Sequence, residues 1–219
     1  MLPIVAERVR EAVADALAFV LPTSCAGCGA LDVSLCGACR AILDAPGTLR
    51  RASEPGLVVH SGFVFDGEIA RMLRALKSDG RTSLFAPFGR ALAARAASAF
   101  GGVDALYVPV PSSRAAVRRR GYRVVEQLVR RSGLPSGRAL RPARAVADQR
   151  TLGRDARARN VFGSMTAAPA VRGRTVVVVD DIVTTGATVA EAARALTAAG
   201  AVVIGALTIA ATPRRAIPA

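Results

Sequence analysis

An α/β fold, a parallel sheet covered by helices with a small cysteine module on its amino-terminal side, is what this sequence predicts. Three observations carry that expectation. Continuous apolar runs such as Thr175–Val179 and Val202–Ile209 alternate with amphipathic, alanine-rich stretches, as strands buried on both faces between crossover helices do. All four cysteines fall between residues 25 and 39, spaced C-x2-C-x7-C-x2-C. An acidic pair followed by a Thr/Gly-rich turn closes the Thr175–Val179 run, at the carboxyl end of a buried strand, where α/β folds bind ligands.

Residues 4–20 place Ile4, Val5, Val9, Ala12, Val13, Ala16, Leu17 and Val20 on one helical face, and Pro22 stops that helix. The cysteine stretch runs to about Asp44, and the Pro/Gly/Ser-containing segment 46–56 reads as a linker. The expected division is therefore a module over 1–45 and a larger domain over 57–212. Leu57–Phe65 is β-rich, and Glu68–Lys77 is a short helix ending in Ser78-Asp79-Gly80. A long alanine-rich helix covers 83–100, closed by Gly101-Gly102. Asp104–Val108 is a short strand that runs into Pro109-Val110-Pro111, and Tyr122–Arg131 is helical up to Gly133. The polar, arginine-rich stretch 134–160 lacks periodicity and reads as a lid or insert. Strand Thr175–Val179, a helix over 188–199 and strand Val202–Ile209 complete the order.

The chain has 219 residues, 52% of them hydrophobic, which is ample for a packed core. Its most apolar stretch, 2–21, is broken by Glu7, Arg8, Arg10, Glu11 and Asp15, so neither a membrane span nor a secretory signal is expected. A cytoplasmic protein is the expectation. A single histidine, His60, excludes two-histidine metal sites, and no P-loop motif occurs. The net charge of +14 is almost all arginine, Lys77 being the only lysine. Such charge suits a polyanionic partner. Codon bias toward arginine and alanine explains it equally well, and 4% aromatics with no tryptophan supply little for base stacking.

Cys25, Cys28, Cys36 and Cys39 form two C-x-x-C turns, each directing two thiolates at one point, which a tetrahedral divalent ion joins. Two disulfides would not suit a reducing cytosol, and a redox pair would need only one such turn. A structural zinc site is expected, with no position left for water.

The sharpest signal is Thr175-Val-Val-Val-Val-Asp180-Asp181-Ile-Val-Thr184-Thr185-Gly186-Ala187-Thr188. Unpaired N–H groups of the loop and first helical turn, with the helix dipole, make an anion cradle, and the threonine hydroxyls add donors. Two carboxylates beside a phosphate cradle suit a ligand that also presents hydroxyls, as a ribose 5-phosphate does. A plain Thr-capped helix accounts for Thr185 or Thr188 but not for the acidic pair.

These residues resemble the phosphoribosyl-pyrophosphate (PRPP) loop of type I phosphoribosyltransferases. With the N-terminal cysteine module, Leu76-Lys77-x-x-Gly80, Val108-Pro109-Val110-Pro111, Arg120-Gly121-Tyr122, Gln149-x-x-Leu152 and Arg159-Asn160-Val161, the order is similar to that of ComF-type proteins, a family associated with DNA uptake during competence. The resemblance implies a phosphoribosyltransferase-like sheet. It implies Asp180 and Asp181 on the ribose hydroxyls, with roles in binding and catalysis, and Thr184, Thr185, Gly186, Ala187 and Thr188 on the 5-phosphate. Pro111, Ser112, Ser113 and Arg114 would meet pyrophosphate. Arg118, Arg119, Arg120, Gly121, Gln149 and Arg159 would belong to a hood over the reacting centre. The sequence departs from the family pattern at Arg123 and Val124, where members commonly carry Asn then Gln.

The chemistry agrees. Loss of pyrophosphate leaves a cation-like sugar that carboxylates stabilise, while arginines and Mg²⁺ neutralise the leaving group. Two readings stand: a transferase using PRPP with Mg²⁺ on an unknown acceptor, or a PRPP-site protein that acts on nucleic acid, either as a single-stranded DNA-binding accessory in DNA uptake with a competence or helicase-type protein partner or as a regulator sensing PRPP. His60 reads as structural, Tyr107 and Tyr122 as packing residues, and Lys77 as either a helix-end surface lysine or a site residue.

Overall fold

The valine run of 176–179 is almost completely excluded from solvent, and the rest of the fold is built around it. The computed structural model describes residues 23–53, 56–143 and 161–213. In chain order its elements are α1 (Gly37–Asp44), β1 (Leu49–Ser53), β2 (Leu57–Val64), α2 (Gly67–Ser78), α3 (Phe85–Phe100), β3 (Leu106–Pro109), α4 (Arg114–Arg120), α5 (Val124–Ser132), β4 (Leu140–Pro142), β5 (Met165–Ala167), β6 (Thr175–Val183), α6 (Ala187–Ala198) and β7 (Val202–Ala211). The main sheet has the order β1-β2-β7-β6-β3. Strands β2, β7, β6 and β3 run parallel, and β1 pairs antiparallel with β2 at one edge. This is the predicted α/β fold, with one antiparallel edge strand added to the parallel sheet.

Alternation along β6 splits its valines between two layers. Val177 and Val179 face a cluster with Met72, Leu73 and Leu76 of α2, Phe88 and Leu92 of α3, and Leu128 of α5. Val176 and Val178 face Val189, Ala192 and Leu196 of α6. Burial on both faces is why the run is continuously apolar rather than alternating. Helix α3 can lie close to α5 because residue 89 is glycine: a Cβ there would come within 2.7 Å of the Arg131 backbone carbon.

The expected linker over 46–56 is in part a strand. Residues 49–53 form β1, in register with β2 so that Arg50 faces His60 and Arg51 faces Val59. An exposed edge strand shows no apolar alternation, so its composition alone reads as linker. Within the aperiodic stretch 134–160, residues 140–142 form β4, which pairs antiparallel with β5 beyond that stretch. That ribbon is fastened to α6. Glu191, buried at 4% exposure, accepts the Met165 N–H at 3.0 Å and is held by Arg194 at 2.7 Å. The cysteine segment shares the main core, with Cys25, Leu35, Cys39 and Leu43 in one buried cluster with Leu73 and Phe88. The predicted helix over 4–20 lies outside the described residues. Among those described, no helix is long and apolar enough to cross a membrane.

Candidate active site

The acidic pair sits at the carboxyl end of β6, between β7 and the end of β3. The Asp181 N–H donates to Asp180 Oδ1 at 2.8 Å, and Lys77 Nζ lies 2.8 Å from Asp181 Oδ2, both side chains largely buried. Burial of its carboxyl, then the neighbouring Asp181 charge, push the pKa of Asp180 up to about 7, against the opposing pull of the Asp181 N–H and Lys77. Close like charges oppose ionisation together, which adds to burial in raising Asp180. Lys77, left open by the sequence, stands beside the acidic pair: the last turn of α2 delivers it to Asp181.

From Val183 the chain turns through Thr184 and Thr185 into α6. Gly186 takes a left-handed φ of 91° at the head of that helix, where any side chain would be strained. The Ala187 N–H donates to Thr185 Oγ1 at 3.3 Å. The Thr188 and Val189 amides have no carbonyl within the helix to meet, and the dipole adds to their donor character. Arg51 braces this turn from β1: Nη1 donates to the Thr184 carbonyl at 2.7 Å and Nη2 donates to the Thr212 carbonyl. Arg51 is invisible to sequence reasoning, because it stands in the segment that resembles a linker.

The turn after β3 lies beside the acidic pair, since the Val110 N–H donates to the Val179 carbonyl at 2.8 Å. Pro111 and Ser112 lead to Ser113, whose hydroxyl accepts the Ala116 N–H at 3.2 Å and caps α4. That helix buries nothing: Arg114, Arg118 and Arg119 are exposed, and Arg120 is half-buried with its Nε unpartnered. Gly121 ends it at φ 80°. Tyr122 then packs edge-on against Phe85 and donates its hydroxyl to the Leu76 carbonyl at 2.5 Å. The turn after α4 is thereby tied to the residue preceding Lys77, so Tyr122 is a packing residue. At the two departures from the family pattern, Val124 is buried in the core and Arg123 lies 3.6 Å from Glu126. Gln149 and Arg159 lie outside the described residues.

The four Sγ atoms lie within 4.8 Å of one another. All four cysteines are free thiols, with Cys28 and Cys36 sulfurs 3.5 Å apart. Backbone N–H groups already solvate the cluster: Cys36 N donates to Cys25 Sγ at 3.4 Å and Cys39 N to Cys36 Sγ at 3.5 Å. Burial alone would raise the Cys25 thiol, but backbone donors of Cys36, Cys28 and Gly27 hold it down at about 6. Burial and the other three thiols push Cys39 the opposite way. A Cβ at Gly27 would stand 2.5 Å from Cys39 Sγ, so the turn closes over the sulfur only with glycine. Arg71 of α2 donates to the Gly27 carbonyl and fixes the turn on the main body. Four soft, converging thiolates fit zinc, with Zn–S bonds of about 2.3 Å.

The fold and the site define an α/β protein with an acidic pair and an anion cradle at the carboxyl end of a parallel sheet. The chain belongs to the phosphoribosyl transferase domain family, whose model matches residues 89–219. No curated protein matches it. Among solved structures, the allosteric regulatory enzyme of purine biosynthesis is 24% identical over 64% of this chain, with a TM-score of 0.36. The chain spans 28% of that enzyme's length. An adenine phosphoribosyltransferase is 16% identical, covering 80% of this chain and 89% of its own, with a TM-score of 0.43.

Proposed function

We propose that this protein is a phosphoribosyltransferase that binds PRPP through the β6–α6 turn, transfers its ribose 5-phosphate to an acceptor and releases pyrophosphate. The observation that carries this reading is the Asp180–Asp181 pair, held by Lys77 and running directly into the Thr184–Thr188 cradle. Asp180 and Asp181 accept hydrogen bonds from the ribose 2′- and 3′-hydroxyls, and their charge stabilises the cation-like sugar. The backbone of residues 184–188 holds the 5-phosphate. Pro111, Ser112, Ser113 and Arg114 stand beside the pair on the pyrophosphate side, and Arg118, Arg119, Arg120 and Gly121, with Gln149 and Arg159, form the hood that excludes water. Mg²⁺ fits this donor set: Asp180 and Asp181 offer hard carboxylate oxygens that would hold it together with oxygens of PRPP. When bound it neutralises charge on the leaving pyrophosphate.

Within this reading, residues 1–45 are a zinc module held by Cys25, Cys28, Cys36 and Cys39, and 57–212 are the transferase domain. The zinc is structural, closing the coordination shell with four thiolates that a reducing cytoplasm keeps available. The second reading, a role in DNA uptake, rests on the ComF-type resemblance. The specific observation favouring a single-stranded DNA role is α4, which presents Arg114, Arg118 and Arg119 to solvent without an acidic partner among the described residues. Each phosphate contact would add about −0.7 to the slope of log K against log salt. Calorimetric titration of PRPP with Mg²⁺, followed by a pyrophosphate-release screen across nucleobases, tests the main reading. Wild-type binding by both Asp180→Asn and Asp181→Asn would refute the site.

A further inference from the structure

Away from the acidic pair, the amino-terminal half of β2 and the end of α3 enclose a second polar cavity of about 450 Å³, lined by Thr48, Arg50, His60, Arg95, Ser98 and Phe100 among others. The volume is within the range of small-ligand sites. Its centre is Arg95, which keeps only 3% of its surface. No carboxylate pairs with it: the ion pairs among the described residues involve neither Arg95 nor Arg50. A guanidinium carries five N–H donors and no acceptor. Arg95 Nη1 donates to Ser98 Oγ at 3.2 Å, Nη2 meets His60 Nδ1 at 2.9 Å, and Nε is buried without a partner.

The contact with His60 fixes more than a distance. Because arginine can only donate, Nδ1 of His60 accepts, and the neutral ring carries its proton on Nε2. Phe100 packs edge-on against that ring at 5.0 Å and holds its plane. Arg50, opposite His60 in the β1–β2 register, brings a second guanidinium to the mouth. Burial first, then Arg95 and Arg50, hold the histidine pKa below its ordinary value. The cavity therefore gathers two guanidinium groups, an imidazole N–H and the Ser98 and Thr48 hydroxyls, with no anionic acceptor among the residues lining it. A buried cation left uncompensated is costly, and an entering anion is the group that would compensate it.

We propose that this cavity is a second ligand site, taking the phosphate group of a small phosphorylated metabolite on Arg95, Arg50 and His60. Arginine forks match phosphate oxygens in pairs, and the volume leaves room for the organic part of the ligand. The site uses different residues from the β6–α6 cradle and does not depend on the reading of that cradle.

His60 is the only histidine, so its imidazole resonance is an unambiguous probe. In the full-length, zinc-loaded protein, inorganic phosphate in one arm and adenosine 5′-monophosphate in the other are titrated while the ring is followed by NMR through pH. Either ligand should raise the His60 pKa by about one unit, as an adjacent anion favours the imidazolium. Tighter binding of the nucleotide would identify an organophosphate site, and equal affinity a site for free phosphate. Arg50→Gln, at an exposed position that the fold does not need, should weaken the effect at least tenfold. Arg95→Met should remove it where the variant folds. Thr188→Val, in the β6–α6 cradle, should leave it unchanged. A His60 resonance indifferent to both ligands overturns the proposal. So does a shift that survives Arg50→Gln and disappears in Thr188→Val, which would place the anion at the cradle instead.

Discussion

Replacing Asp180 by Asn should stabilise the fold in a pH-dependent way while abolishing PRPP binding. The folded-state pKa of Asp180 is pushed up to about 7 from an ordinary value of 3.8. Between those two pH values the native state holds a proton that the unfolded chain has released. Stability therefore falls as pH rises through this window, and the full cost is present above about pH 7. A difference of about 3 units corresponds to about 4 kcal/mol at 1.36 kcal/mol per unit, as a ceiling. Asp180 keeps part of its surface in solvent, and screening brings the expected gain to about 1–2 kcal/mol. An asparagine pays no ionisation cost. For a chain of this size that is a rise in Tm of roughly 2–8 °C at pH 8 and close to none at pH 4. Thermal melts of the parent and the variant at pH 4, 6 and 8, beside PRPP titrations at pH 8, test both halves. A gain equal at all three pH values, or a loss at pH 8, would refute the assignment of strain to the acidic pair.

Lys77→Met removes the cation that lowers the Asp180 pKa and pairs with Asp181 at 2.8 Å, so the acidic limb of PRPP binding should move about one unit to higher pH. A superimposable pH profile would take Lys77 out of the site. Arg51→Gln deletes donors to the Thr184 and Thr212 carbonyls and should weaken PRPP about tenfold by calorimetry, near 1.4 kcal/mol. Cys39→Ser should reduce bound zinc from one per chain to none by elemental analysis, with a lowered Tm that chelator treatment of the parent reproduces. Purified parent protein without stoichiometric metal would overturn the zinc reading.

The fold class is readable in the amino acids alone, because burial on both faces of β6 requires a continuous apolar run. So is the candidate site, since Asp180, Asp181 and the Thr184–Thr188 turn are contiguous and their chemistry is local. The cysteine cluster was legible for the same reason: two short turns carry the geometry. Tertiary structure decided everything that depends on distant segments meeting. Lys77 reaches Asp181 across 104 positions, the distance between their numbers, and Arg51 reaches Thr184 across 133. Strand β1 looks like a linker because an exposed edge strand bears no apolar alternation, yet it positions Arg51 under the cradle and Arg50 over Arg95 and His60. An arginine buried in an amphipathic helix also reads, in sequence, as one more surface charge. Only the packing of α3 against β2 buries Arg95 beside His60 with no carboxylate partner among the described residues.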